Sequence, residues 1–183
     1  MTYDVAVVQC RLYDYFIMIF LEPSDRIITV LEGKDDVHFM RMALIEADIA
    51  FHEGEVPVGA VLVKDGHVVA TAHNCRESSN DPTGHAEVLA IRHGAQKCGG
   101  WRLADATLYV TKEPCIMCAG TMVNARLGRL VYGCKDEKRG GVESLYSLLS
   151  DKRLNHRVEV LSGVLGEECA DILKRFFQER RCS

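Results

Sequence analysis

The spacing of apolar residues changes several times along the chain, and each change marks an element. Over "DDVHFMRMALIEADIAFHEG" the residues Val37, Met40, Leu44, Ala47 and Phe51 recur with helical spacing, which predicts an amphipathic helix stopped by Gly54. "VGAVLVKDGHVVATAHN" then predicts two strands around Asp65-Gly66, a dipeptide favoured in two-residue hairpins. A helix follows in "HAEVLAIRHGAQKCGG", ending at glycines, and "ATLYVT" reads as a short buried strand. "PCIMCAGTMVNARLG" predicts a helix with proline in its first turn and Gly128 near its end. After the strand "RLVYGC" come a loop, a short helix near Leu145, the strand "RVEVLSG" and a last helix, "EECADILKRFFQERR".

This order predicts a layered α/β domain, with a partly parallel sheet of about five strands and helices on both faces. In such sheets reactive groups gather where strands run into helices at the carboxyl edge. Residues 1–33 break the pattern. They hold the apolar stretches "VAVVQC", "YFIMIFL" and "IITVL" but no motif. They are expected to be an added N-terminal extension or the product of an upstream start, with the functional domain at 34–183. "YFIMIFL" is too short to cross a bilayer. It also lacks the basic leader and small-residue cleavage site of a signal peptide, so the expectation is a cytoplasmic protein with no membrane partner.

Composition changes this picture little. A chain of 183 residues that is 48% hydrophobic can bury the core of one ordinary domain. A net charge of -4 argues against a polyanionic partner until it is divided. Residues 1–119 carry 10 Lys/Arg against 17 Asp/Glu, whereas 120–183 carry 12 against 9. The C-terminal third is therefore mildly basic, which is compatible with a polyanion there. Eight cysteines in a chain of this length, scattered apart from one motif, do not make a disulfide framework. Cys10, Cys98, Cys134 and Cys169 are expected to be small, reduced core residues.

The chemistry lies in two short stretches. "TGHAEVLA" sets His85 and Glu87 two apart at the start of a helix, and "EPCIMCAG" sets Cys115 and Cys118 three apart behind a proline. One imidazole and two thiolates suit zinc. A structural zinc site normally has four protein ligands, whereas a catalytic one has three and keeps a position for water. The count favours the open site, unless His73, Cys75 or Cys134 closes the shell. Placing both cysteines in the first turn of a helix would let the exposed N–H groups and the dipole stabilise thiolates. Two thiolates also neutralise the metal charge, so a bound water needs a base beside it, and Glu87 is placed to be that base.

These residues carry a resemblance. "HAE" followed by "PCIMC" resembles the signature of the zinc-dependent nucleobase deaminases. The flanks "VPVGAVLV", "NDPTGHAE", "LYVTKEPCIMCAG", "ARLGRLVYGCKDEKRG", "NHRVEV" and "FFQERR" are similar to those of the bacterial tRNA-specific adenosine deaminases, over about Asp36 to Arg181. The resemblance implies a three-layer cytidine-deaminase-like domain with one Zn2+ per subunit, held by His85, Cys115 and Cys118. It implies hydrolytic deamination of adenosine to inosine at the wobble position of a tRNA anticodon, typically of an arginine tRNA. Zinc hydroxide would attack C6, with Glu87 as proton shuttle.

It also implies substrate contacts from Asn74, from backbone near Ala86, from Asp136 beside a ribose, and from Phe177, Arg180 and Arg181 on the last helix. The implied partners are a tRNA anticodon stem-loop and a second copy of the chain. One departure stands out: Lys112 occupies a position where an apolar residue is expected to line the RNA cleft. Two rival readings share the motif. A small-molecule deaminase acting on cytidine, deoxycytidylate or guanine would not need the basic aromatic tail or the "KDEKRG" turn. A non-catalytic zinc-stabilised RNA-binding module would not need Glu87 or an open ligand position.

Overall fold

The structure is a computed structural model that describes residues 10–12, 15–17, 19–21, 27–29 and 35–182. The chain divides after His38 into two units. In the first, β1 (Cys10–Leu12) pairs antiparallel with β2 (Tyr15–Ile17), and β3 (Ile19–Leu21) pairs antiparallel with β4 (Ile27–Thr29). The apolar run at 5–8 and the side chain of Cys10 lie outside the described residues.

The second unit is built from β5 (Gly59–Lys64), β6 (His67–His73), β7 (Ala106–Lys112), β8 (Arg129–Cys134) and β9 (Glu159–Ser162). The helices are α1 (Asp35–His52), α2 (Ala86–Lys97), α3 (Ile116–Asn124) and α4 (Gly166–Cys182). The sheet order is β6-β5-β7-β8-β9, antiparallel across β6/β5/β7 and parallel across β7/β8/β9. Strand alternation sorts the core into two layers. Val61, Val63, Tyr109 and Val131 face Phe39, Met40 and Ala43 of α1 and Cys169 of α4. Leu62, Leu108, Val110 and Leu130 face Leu89 and Ala90 of α2 and Ala119 and Met122 of α3. Leu62, Leu108, Leu130 and Met122 are wholly buried. Each such side chain contributes about 1.5–3 kcal/mol relative to exposure.

Local signals in the sequence act as expected at most boundaries. Asp65 and Gly66 both have positive φ, at 51° and 71°, as a type I′ hairpin turn requires. Helix α1 ends in a Schellman motif: the Glu55 N–H reaches the Ala50 carbonyl, the Gly54 N–H reaches Phe51, and Gly54 has φ 78°.

Three details differ from expectation. Helix α1 presents Ala43 and Ala50 to the interior, while Leu44 and Phe51 are only half-buried. Small residues allow α1 to approach β5 so closely that a Cβ at Gly59 would collide with the Ala43 carbonyl. Near Leu145 there is no α-helix; the helical turn is a 3-10 segment at Leu148–Ser150. The N–H groups of residues 142–144 are taken by the Glu113 side chain instead of by helix carbonyls. Cys98 is exposed, because it is the C-cap of α2 and lies beyond the last buried residue of that helix, Gly94. Cys169 is buried and Cys134 half-buried, as core cysteines would be.

Candidate metal and catalytic site

Strands β6 and β7 run in the same direction, so both end at one edge of the sheet, and α2 and α3 start there. His85 is the N-cap of α2 and Cys115 the N-cap of α3, both with extended backbone. Cys115 is therefore at the cap, not inside the first turn; Cys118 follows in that turn.

The two helix starts bring the three side chains together. Cys115 Sγ is 3.7 Å from His85 Nδ1, Cys118 Sγ is 3.5 Å from the same nitrogen, and the two sulfurs are 3.6 Å apart. A tetrahedral zinc with Zn–S of about 2.3 Å and Zn–N of about 2.0–2.1 Å separates its ligands by roughly 3.5–3.8 Å. The donor set and its spacing fit that ion. Among the described residues, this is the one group of His, Cys, Asp or Glu arranged to hold a metal. None of the three residues weighed as a fourth ligand joins it. The two ring nitrogens of His73 face Glu46 at 2.7 Å and Glu53 at 3.2 Å, and Cys134 donates to the Thr111 carbonyl.

The protonation of the donors is coupled. A hydrogen bond from the Cys118 thiol, with a further one from His85, holds Cys115 down at about 3. The same contact pushes Cys118 up, and hydrogen bonding to Cys115 raises His85. A thiolate is thus already favoured at Cys115.

Glu87, in the first turn of α2, is 4% exposed, and its Oε2 has no hydrogen-bond partner. Burial raises its carboxyl above the ordinary range, with the helix backbone and His85 opposing in part. An unpaired buried carboxylate oxygen costs about 1–3 kcal/mol or more and calls for a reason. Here Glu87 is one of the residues lining a cleft shared with His85, Cys115, Asn74 and Asp136.

Asn74, at the end of β6, is 8% exposed and accepts the Ala86 N–H through Oδ1 at 3.1 Å. That bond satisfies an N–H at the start of α2 and fixes the amide orientation of Asn74, which lines the same cleft. It also occupies the Ala86 N–H, which was expected to contact substrate. Asp136 and Lys112 both line the cleft and form an ion pair at 2.6 Å.

The residue missed in the sequence is Glu113. Its carboxylate is 3% exposed and accepts the N–H groups of Asp136, Val142, Glu143 and Ser144 and the Ser144 hydroxyl. Burial alone would raise this carboxyl, but those bonds outweigh it and hold it at about 2. A Cβ at Gly140 would collide with the carboxylate, so the loop closes around it. Glu113 stands directly before the Pro-Cys pair, which was the available signal.

The residues expected on α4 do not line the cleft. Phe176 is buried and Phe177 is 46% exposed. Arg180 stacks over Phe176 at 4.7 Å and donates to the Gly54 carbonyl, next to the cleft residue Glu55. Arg181 is exposed.

A mixed sheet with paired helix starts, a histidine and two cysteines facing one another, and a buried carboxylate with one unpaired oxygen beside them define a deaminase of the cytidine-deaminase fold. Residues 34–181 match the model of the MafB19-like deaminase family. The chain is 46% identical over 148 residues to a tRNA-specific adenosine deaminase of Streptococcus pyogenes serotype M1, covering 81% of this chain and 86% of the relative. It is 49% identical over 146 residues to the tRNA-specific adenosine deaminase of Bacillus subtilis (strain 168), covering 80% and 91%. A solved structure from work on A-to-I editing by tRNA:A34 deaminases superposes with a TM-score of 0.72 at 47% identity, covering 74% of this chain and 99% of that one. The chain belongs to the tRNA-specific adenosine deaminase family. A guanine deaminase from Nitrosomonas europaea shares the fold at 18% identity and a TM-score of 0.67.

Proposed function

We propose that the chain converts adenosine to inosine at the wobble position of a tRNA anticodon. The observation that carries this reading is the unpaired, buried oxygen of Glu87 beside the His85–Cys115–Cys118 donor set. The substrate comes from the relatives, which are named for adenosine in tRNA.

His85, Cys115 and Cys118 would hold one zinc per subunit, which when bound supplies a Lewis acid that makes water nucleophilic near neutral pH. Glu87 takes the proton of the attacking water and delivers it to purine N1 as the C6–O bond forms. It then takes the proton of the new C6 hydroxyl and passes it to the exocyclic nitrogen, so that the C6 carbonyl forms, the C6–N bond breaks and ammonia leaves. Its burial keeps bulk water from competing for that proton. Asn74 Nδ2 is the donor offered to the nucleoside, and Asp136 the acceptor offered to a ribose.

A base reaches such a cleft only after leaving its stack, which costs least in a single-stranded loop. Phe177, Arg180 and Arg181 would grip the anticodon stem-loop from α4, with the exposed aromatic packing on a base. A second copy of the chain is the further partner we propose; the exposed apolar residues Ile116, Leu145 and Tyr146 support it. The compartment we propose is the cytoplasm. Among the described residues no helix is long and apolar enough to cross a membrane.

The test is one incubation of the enzyme with an anticodon stem-loop carrying adenosine at the wobble position, alongside free adenosine, cytidine and guanine. Inosine should form in the stem-loop and the free compounds should persist. Turnover of cytidine or guanine with an untouched stem-loop would replace this reading with the small-molecule one.

A further inference from the structure

Lys112 is the position at which the chain departs from an apolar cleft wall, and the structure shows what the lysine does. It is the last residue of β7, in register with Cys134 of the parallel strand β8. Two residues beyond Cys134 the chain turns, and Asp136 is held there from three sides. Its N–H donates to Glu113 at 3.0 Å. Its Oδ1 accepts the N–H groups of Lys138 at 3.1 Å and Arg139 at 3.2 Å. Its Oδ2 takes the Lys112 ammonium at 2.6 Å. The Lys112 and Asp136 side chains are 26% and 11% exposed, so the pair is shielded from solvent more than a surface bridge is.

Both carboxylate oxygens turn together about the Cβ–Cγ bond, so the two N–H groups on Oδ1 and the Lys112 ammonium on Oδ2 hold that rotation from opposite sides. Among the described residues the lysine is the one partner held by Oδ2, and it leaves the second lone pair of that oxygen for a donor in the cleft. The other cations of the cleft wall do not duplicate it. Arg76 is paired with Glu77, and the Arg139 contact to Asp136 is through backbone.

We infer that Lys112 is a positioning residue for the RNA substrate, acting through Asp136: it orients the Asp136 carboxylate toward a ribose hydroxyl of the bound nucleotide. The inference rests on the proposed tRNA reading. Two consecutive side chains at the end of β7 thus set one aspartate, the Glu113 carboxylate by accepting the Asp136 N–H and the Lys112 ammonium by pairing with the Asp136 carboxylate.

The experiment is a double-mutant cycle on the zinc-loaded full chain with Lys112→Met, Asp136→Asn and the double variant, plus Lys112→Arg. Both KM and kcat for the stem-loop are measured, with stem-loop affinity by fluorescence anisotropy at two salt concentrations. Lys112→Met should raise KM and Kd by about tenfold while kcat changes by less than about twofold. Lys112→Arg should recover most of the loss. In the Asp136→Asn background, removing the lysine should add nothing, because neighbours that act as a unit are not additive.

Additive losses, with a salt slope reduced by about 0.7–0.9, would mean that Lys112 touches a phosphate directly and would overturn the inference. An unchanged KM with only a lower melting temperature would also overturn it, as a purely structural role. If the wild type neither binds nor converts the stem-loop, the tRNA reading itself fails and this inference falls with it. If the wild type converts the stem-loop but the cycle is additive, only the inference is lost.

Discussion

Replacing Glu113 by alanine should destabilise the domain more than any other single change at the site. The carboxylate accepts from Asp136 N at 3.0 Å, Val142 N at 3.3 Å, Glu143 N at 2.8 Å, Ser144 N at 2.9 Å and the Ser144 hydroxyl. Each hydrogen bond to a charged group contributes about 1.5–3 kcal/mol net. The full sum is not lost, because the freed loop can move outward and bind water. Val142 itself is 4% exposed, however, so its N–H has little access to solvent without rearrangement. A net loss of about 3–5 kcal/mol follows, typical of breaking a buried charged network by removing one member. For a domain of this size that corresponds to a drop in melting temperature of roughly 6–20 °C. Thermal melts of the zinc-loaded wild type and variant, followed by circular dichroism, measure it directly. Glu113→Gln should not rescue, since its NH2 group would point donors at donors. A shift below about 2 °C for Glu113→Ala would show that these bonds hold nothing in place.

Three further outcomes are expected. Cys115→Ser should lose zinc, measured by metal analysis, and should melt earlier, because metal affinity and folding are coupled; one zinc per chain in that variant would remove Cys115 from the ligand set. Arg181→Gln should flatten the salt dependence of stem-loop binding by about 0.7–0.9 of a log unit per log unit, with an unchanged melting temperature; Arg180 is a poorer probe, since it also anchors α4 to Gly54. A chain beginning near Lys34 should fold and deaminate, because the motifs and the five-stranded sheet all lie beyond it; aggregation, or a fall in activity beyond about tenfold, would make residues 1–33 part of the fold.

The parts of the site that could be read in the sequence were those set by local rules. His85 and Cys115 fall at helix starts because a turn and a proline precede them, and Cys118 follows one turn later. Strand alternation placed Leu62, Leu108 and Leu130 on one face and Val61, Tyr109 and Val131 on the other. What could not be read depends on distant chain segments meeting. Glu113 finds its acceptor role only when residues 23 to 31 positions away fold around it. Asn74 spends its oxygen on Ala86, 12 residues on, and no local pattern announces that. Leu145 lost its expected helix to the same glutamate, since a side-chain acceptor took the N–H groups a helix would have used. Lys112 looked out of place in an apolar wall because its partner, Asp136, lies on another strand's exit loop.

The central claim is that Glu87 moves protons from outside the metal shell. Its most direct test is Glu87→Ala, assayed on one preparation for zinc content, stem-loop affinity and inosine formation. The account predicts one zinc per chain, affinity within about twofold of wild type, and turnover reduced by at least ~10²–10⁴-fold, as general acid–base catalysis by one residue supplies. Near-normal inosine formation by the zinc-loaded variant would contradict it.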